Sequence, residues 1–352
     1  MKQSIERTFV RVGARLAVFL LNLPPRFVKL LAGPVPQKAE GIHPEALLMG
    51  RLTALPRPGG GRGLGGDTAS RARTDIEASV FGAKAPKSVS VAGGTVAGAV
   101  GKLATRVYTP TAFSSPGPLL VFFHGGGFIS GSLASHDSVC RTLAEVAGAK
   151  VISVDYRLAP EQPFPAGIDD AMAAFAEIAS NALAFGADPS RIAVGGDSAG
   201  GNLAAVVANE SRSAIHPSPK FQLLIYPVTD LSSEFESHEL FAKGFFLTRA
   251  DLRDVEDKYT PDRADRSNPR ASPLLNENLG GTAPAFVATA VADPLRDEGE
   301  AYVAKLRDAG VVVGHERFPL IHGFVNMTES PAAFEATRAI GMALRAGLEP
   351  SQ

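Results

Sequence analysis

Residues 191–210 read RIAVGGDSAGGNLAAVVANE. A short apolar run of strand length leads into a glycine pair, an alanine-rich run of helical length leads out, and Ser198 stands at the junction between Gly196 and Gly200 in the spacing G-x-S-x-G. A serine hydroxyl is a poor nucleophile until a sharp strand-to-helix turn lifts it clear of the sheet, and glycines two residues to either side leave room for the crowded backbone of that turn. The helix beginning there points the positive end of its dipole at any negative charge that develops nearby. Taken alone, the spacing also fits a plain glycine-rich turn between strand and helix, so the flanking chain must supply the rest of the chemistry.

Upstream, the strand-like runs PLLVFFH and KVISVDY alternate with helical patterns near Asp137–Ala147 and Ala166–Ala182. Downstream come FQLLIYP, then AFVATAV, a helix over Asp297–Ala309 stopped by Gly310, the run VVVGHERF, and a last helix capped by Ser330 and opened by Pro331. Strands alternating with helices predict an α/β fold with a mostly parallel sheet buried on both faces. Between Thr229 and about Pro269 the segment ELFAKGFFLTRADLRDVEDKYT is amphipathic and helical, with no strand. This organisation divides the chain into residues 1–74, cap helices with a Gly/Arg-rich connection, and residues 75–352, a catalytic domain whose 229–269 insertion joins the cap. No internal repeat is apparent.

Lys and Arg number 35 against 36 Asp and Glu, a formal net charge of −1, which argues against nucleic acid or an anionic membrane as the main partner. A single cysteine, Cys140, excludes an internal disulfide and any cysteine-based metal cluster, and is expected as a small core residue. Near the N-terminus Lys2, Arg7, Arg11 and Arg15 precede LAVFLLNL (Leu16–Leu23), a run too short to span a bilayer. With Glu6 among the basic residues and no small-x-small cleavage site following, the segment is expected as an amphipathic helix pair, broken at Pro24 and Pro25 and resuming with Phe27, Val28, Leu30 and Leu31, in a cytoplasmic protein. The composition of Gly59–Thr74 predicts a mobile surface loop. Within it Gly61–Gly66 match the G-x-G-x-x-G of dinucleotide sites, but no strand is expected before the match and no helix after it, so no nucleotide cofactor is expected.

An activated serine needs a base, and the base needs an acid that fixes its tautomer. Of seven histidines, His322 in FPLIHGF follows the last strand, at the edge where the loops after parallel strands gather. His43, His136, His216, His238 and His315 have no such placement and are expected in surface or local structural roles. Asp293 in VADPLRDEG directly follows AFVATAV, whereas Asp297 and Glu298 open a helix, where the dipole accounts for acidic residues. The chemistry-bearing order is then Ser198, Asp293, His322. In LLVFFHGGGFISG (residues 119–131) the glycines let backbone N–H groups approach a developing oxyanion, and Gly126, Gly127 and Ala199 are the expected donors. His124 is expected to hold that loop by hydrogen bonding rather than to act as a base.

Six blocks in order carry a family likeness: HGGGF (124–128), VDYRLAPEQPFPA (154–166), GDSAGG (196–201), NPRASPL (268–274), DPLRDEG (293–299) and IHGF (321–324). From about Thr105 to its end the sequence resembles the bacterial hormone-sensitive-lipase family of α/β-hydrolase esterases. The resemblance implies an α/β-hydrolase fold, a helical cap, hydrolysis of small carboxylic esters with short to medium acyl chains, no cofactor and no metal, and frequent homodimers. It also implies Ser198 as nucleophile, Asp293 as acid, His322 as base and an oxyanion hole of Gly126, Gly127 and Ala199. Gln162 stands where the family often has histidine, and the connection over Gly59–Thr74 looks longer and richer in glycine than usual. The same residues leave an amidase or deacetylase open, while a non-catalytic ligand-binding protein on this scaffold would lack the base. Leu20, Phe27, Phe241, Phe245 and Phe246 are candidates to line an acyl pocket, with packing of the cap as their alternative role.

Overall fold

Apolar runs in a mostly parallel sheet are covered on both faces, and that condition organises the molecule. In the computed structural model of the chain, which describes residues 2–55, 65–84, 86–212 and 217–349, the strands are β1 (Val89–Ala97), β2 (Lys102–Pro110), β3 (Gly117–Phe123), β4 (Lys150–Val154), β5 (Ala187–Asp197), β6 (Phe221–Ile225), β7 (Ala285–Ala292) and β8 (Val313–Ile321). They form one sheet of eight in the order β1-β2-β4-β3-β5-β6-β7-β8. The β1–β2 and β2–β4 pairs are antiparallel, and every pair from β4 to β8 is parallel.

The helices are α1 (Lys2–Leu21), α2 (Pro25–Ala32), α3 (Pro44–Ala54), α4 (Thr68–Phe81), α5 (Asp137–Ala147), α6 (Ala166–Ser180), α7 (Ala199–Glu210), α8 (Glu236–Leu240), α9 (Arg249–Tyr259), α10 (Arg296–Asp308) and α11 (Pro331–Gly347). Alternate residues of β3 enter opposite cores, as the two-residue period of a strand requires. Leu119, Val121 and Phe123 pack with Ile168 and Phe175 of α6, Leu203 of α7 and Tyr302 and Leu306 of α10. Leu120 and Phe122 pack with Val139 and Leu143 of α5 and Ile340 and Leu344 of α11. Cys140 is fully buried in this second core, as expected of a small apolar residue.

The segment Gly59–Thr74 requires a correction. Residues 59–64, which hold most of the Gly61–Gly66 match, lie outside the described residues. From Thr68 onward the chain is helical, because Asp67 caps α4 by accepting the N–H groups of Ala69 at 2.9 Å and Ser70 at 3.0 Å. A helix therefore does follow the glycines. Arg71 of α4 ties it to the body, donating to the carbonyls of Ile129 and Ala159 and to Glu161.

The 229–269 insertion folds as α8 and α9 with no strand. Glu298, expected to serve the dipole of α10, is instead fully buried and accepts the N–H of Thr229 at 2.7 Å and His238 Nε2 at 3.1 Å. His238 is thus interior, not superficial, and Arg249 of α9 extends the cluster to Glu234 and Glu256. Charges out of water persist only where they are paired, so this network holds the insertion against the first turn of α10.

Helix α7 begins so close to β3 that a Cβ at Gly200 would lie 1.9 Å from the Phe123 carbonyl oxygen. Gly200→Ala is expected to cost about 3 kcal/mol, because backbone, not a flexible side chain, must move. Gly13→Ala, at a position with open space, serves as control. Equal melting temperatures for the two variants would contradict this account of the β3–α7 contact.

Candidate active site

Sheet register assembles the site. Ala292 of β7 is paired with Ile321 of β8, so the next residue of each strand, Asp293 and His322, emerge side by side. Asp293 Oδ2 lies 2.8 Å from His322 Nδ1, and its Oδ1 accepts the Leu295 N–H at 2.8 Å. His322 Nε2 lies 3.0 Å from Ser198 Oγ. Ser198 itself sits between β5 and α7 with φ 55° and ψ −117°, a left-handed conformation that costs a non-glycine residue energy and turns its side chain out of the sheet. The turn is held by three bonds: the Ser198 N–H donates to Ile225 O at 2.8 Å, and its carbonyl accepts the N–H groups of Asn202 at 3.1 Å and Val228 at 3.2 Å. All three side chains are buried, so the hydrogen-bonded line from carboxylate to hydroxyl is shielded from water.

The glycine turn follows β3 on the neighbouring strand. Gly126 and Gly127 take φ values of 119° and 62°, and they line the same pocket as Ser198 and His322. Ala199 is the first residue of α7, where an N–H has no intrahelical acceptor. The three expected donors and the serine are therefore brought together. His124 is fully buried; its Nδ1 lies 2.8 Å from the Gly125 carbonyl and its ring stacks on Tyr156 with centroids 4.4 Å apart. Burial, reinforced by the neighbouring His136, pushes its imidazole down to about 3. It is a neutral hydrogen-bonding brace of the loop.

Two further residues belong to the site, Asp197 beside Ser198 and His136 before α5, and nothing in the local sequence pairs them. Asp197 accepts the Gly125 N–H at 2.9 Å, stands 3.1 Å from His136 Nε2, and accepts the Tyr226 hydroxyl at 3.3 Å. Burial raises its carboxyl, but His136 and the Gly125 N–H outweigh that and hold it below the usual carboxylate range. His136, expected in a surface or local role, is buried and lines the pocket. The other histidines are peripheral: His43 caps α3, accepting the Glu45 N–H at 3.3 Å; His315 meets Thr289; and His216 lies outside the described residues.

The pocket holds about 140 Å³ and is mostly apolar, walled by Met49, Ala78 and Phe81 from α3 and α4, by Phe246, Leu247, Leu252 and Val255 from the insertion, and by Val228 and Leu295. Of the five aromatic and aliphatic candidates, Phe246 lines it. Phe241 and Phe245 are buried in the second core, edge to face with centroids 5.4 Å apart, and Leu20 packs against that core. Phe27 is 42% exposed on α2. The chain reverses at Gly244 (φ 89°) and Phe246 (φ 74°), which sends Phe245 inward and Phe246 to the pocket. Among the described residues no cluster of three metal-binding side chains occurs, and no helix is long and apolar enough to cross a membrane.

A parallel sheet with a serine on a left-handed strand-to-helix turn, a histidine after the last strand and a carboxylate after the preceding one defines an α/β hydrolase. A family model described as alpha/beta hydrolase fold matches residues 120–326. Carboxylic ester hydrolase LipN of Mycobacterium tuberculosis is 45% identical over 72% of this chain and 69% of its own length. Ethyl acetate hydrolase of Pseudomonas putida is 41% identical over 64% of this chain and 72% of its own. The solved structure of ester-hydrolase EH1AB1 from the metagenome of Lake Arreo superposes with a TM-score of 0.78 at 43% identity, covering 82% of this chain and 93% of that one. The chain belongs to the α/β-hydrolase family, in its bacterial hormone-sensitive-lipase-like branch.

The His124 brace has a consequence for stability. Its folded pKa of about 3 lies below the ordinary 6.5, so between these values the unfolded chain binds more protons, and stability is lost as pH falls. The slope contributed is at most about 1.4 kcal/mol per pH unit. Urea midpoints are expected to fall from about pH 6 to pH 5, above most carboxylate titration, and to do so less in His124→Asn. An identical slope in that variant would remove His124 as the cause.

Proposed function

We infer that the protein is a serine carboxylesterase acting on small esters of short to medium acyl chains, with Ser198 as nucleophile, His322 as general base and acid, and Asp293 as the partner that orients His322. The observation that carries this reading is the unbroken line from Asp293 through His322 to Ser198 Oγ, with spacings of 2.8 and 3.0 Å, ending at the floor of an apolar pocket. His322 Nε2 takes the Ser198 proton as Oγ bonds to the ester carbonyl carbon. The carbonyl oxygen becomes an oxyanion facing the N–H groups of Gly126, Gly127 and Ala199, each such donor contributing roughly 3–4 kcal/mol to the barrier reduction. As the intermediate collapses, the bond to the alcohol oxygen breaks and His322 returns the proton to the departing alcohol. Water then loses a proton to His322 and adds to the acyl carbon, releasing the acid and restoring Ser198. Asp293 stabilises the charged imidazole without taking its proton.

Size supports the short-chain assignment. A pocket of about 140 Å³ matches the roughly 150 Å³ cavity that accommodates a benzene molecule, room for a few methylenes rather than a long fatty chain. In this reading residues 1–74 and the 229–269 insertion form the cap of a catalytic domain over 75–352, α3, α4 and α9 supply most of the acyl wall, and the enzyme works in the cytoplasm.

Ser198→Ala is expected to lower kcat on nitrophenyl acetate about 10⁴-fold or more with circular dichroism unchanged, and to abolish stoichiometric labelling by a fluorophosphonate. Wild-type turnover in the variant would end the assignment. Phe246→Ala enlarges the pocket and is expected to raise the octanoate-to-acetate ratio of kcat/KM by at least about fivefold. Phe241→Ala, which empties a core position instead, should lower the melting temperature and leave that ratio alone.

A further inference from the structure

Helices α1 and α2 are apolar on two opposite sides. On α1 the inward face carries Ala14, Ala17 and Leu21, all buried, and α1 packs on α3 and α4. On the far side Phe9, Val12, Leu16 and Phe19, spaced three, four and three residues apart, are each 57–62% exposed. Helix α2 repeats the arrangement, with Val28 and Ala32 buried and Leu30 75% exposed beside Phe27 and Leu31. Core packing accounts for the inward faces. Among the described residues nothing covers the outward ones.

Their charges indicate what does. Arg11 and Arg15 border the outward stripe of α1, and Arg26 and Lys29 are exposed on α2 beside Leu30. From Thr8 to Ala39 the sequence holds five cations, these four and Lys38, and no Asp or Glu. None of Arg11, Arg15, Arg26 and Lys29 forms an ion pair among the described residues. A two-fold contact with a second copy would set the same patch against itself and crowd like charges at its rim. An apolar stripe flanked by cations instead matches the boundary between acyl chains and anionic headgroups. The net charge of −1, which points away from anionic membranes for the chain as a whole, averages away this local excess.

We propose that the outer face of α1 and α2 docks on an anionic phospholipid surface, with Phe9, Leu16, Phe19 and Leu30 entering the acyl boundary and Arg11, Arg15, Arg26 and Lys29 meeting the phosphates. The contact is peripheral, lying in the plane of the interface. It uses no residue of the Ser198 site, so it stands or falls independently of ester hydrolysis.

The test is co-sedimentation of the full chain with vesicles of phosphatidylcholine alone and of phosphatidylcholine containing roughly one third phosphatidylglycerol. Wild type is expected to sediment with the anionic vesicles and less so as salt is raised. Arg11→Gln with Arg15→Gln should weaken partitioning about 25-fold, about fivefold for each cation. Phe19→Ser with Leu30→Ser should abolish sedimentation while hydrolysis of nitrophenyl acetate continues at the wild-type rate. The chain has no tryptophan, so Phe19→Trp gives a clean reporter. Its emission should shift to the blue on adding anionic vesicles, and that of Val100→Trp, at an 80% exposed turn between β1 and β2, should not. Wild type remaining in the supernatant with both vesicles, sedimenting equally with both, or Phe19→Trp emission that does not move would overturn the proposal. So would a lipid-free dimer that Phe19→Ser with Leu30→Ser separates, since a second copy would then cover the face.

Discussion

Asp197 carries a carboxylate almost out of reach of solvent, one residue before the serine it helps to place. Its bond to the Gly125 N–H ties the end of β5, which presents Ser198, to the turn after β3, which presents Gly126 and Gly127. A hydrogen bond to a charged group contributes about 1.5–3 kcal/mol, and losing this one would strip a buried charge of one of its partners. The glycine turn therefore cannot drift relative to Ser198 without a substantial cost. His136 and the Tyr226 hydroxyl complete the carboxylate's surroundings, and Tyr226 in turn lies against His322 with ring centroids 4.6 Å apart. One charge thus keeps the glycine turn, Ser198 and His322 in a common frame.

Features written in consecutive residues were legible in the sequence. The strand-turn-helix around Ser198, the Ser330–Pro331 start of α11, and the positions of Asp293 and His322 at strand ends all depend on neighbours within a few residues. The antiparallel edge was harder to see, because Gly93 and Gly94 interrupt β1 and only Val89 and Val96 of its residues are buried. Helix α4 was concealed by the glycine and arginine that precede it, although its Asp67 cap was there to be found. Losing α4 to a loop also concealed Ala78 and Phe81 as pocket wall.

Other features depend on contacts between distant residues. Nothing in the spacing of Phe241, Phe245 and Phe246 distinguishes the pocket residue from the two core residues, because a backbone reversal decides it. Glu298 looks like any acidic residue in a first helical turn until Thr229 and His238 are seen to converge on it. The pairing of His136 with Asp197 joins the start of α5 to the end of β5, residues far apart in sequence with no periodic trace. Buried polar groups are where one-dimensional pattern fails, since each is tolerated only by partners that the fold brings from elsewhere.

The separation of 124 residues between Ser198 and His322 has a consequence for synthesis. A chain leaving the ribosome exposes Ser198, the proposed nucleophile, long before His322, its proposed base, and β8 must join β7 before the imidazole can approach the hydroxyl. Throughout that interval the serine is an ordinary alcohol. On the proposed assignment, reactivity appears only when the far edge of the sheet closes, and a nascent chain stays inert toward esters until it has finished folding.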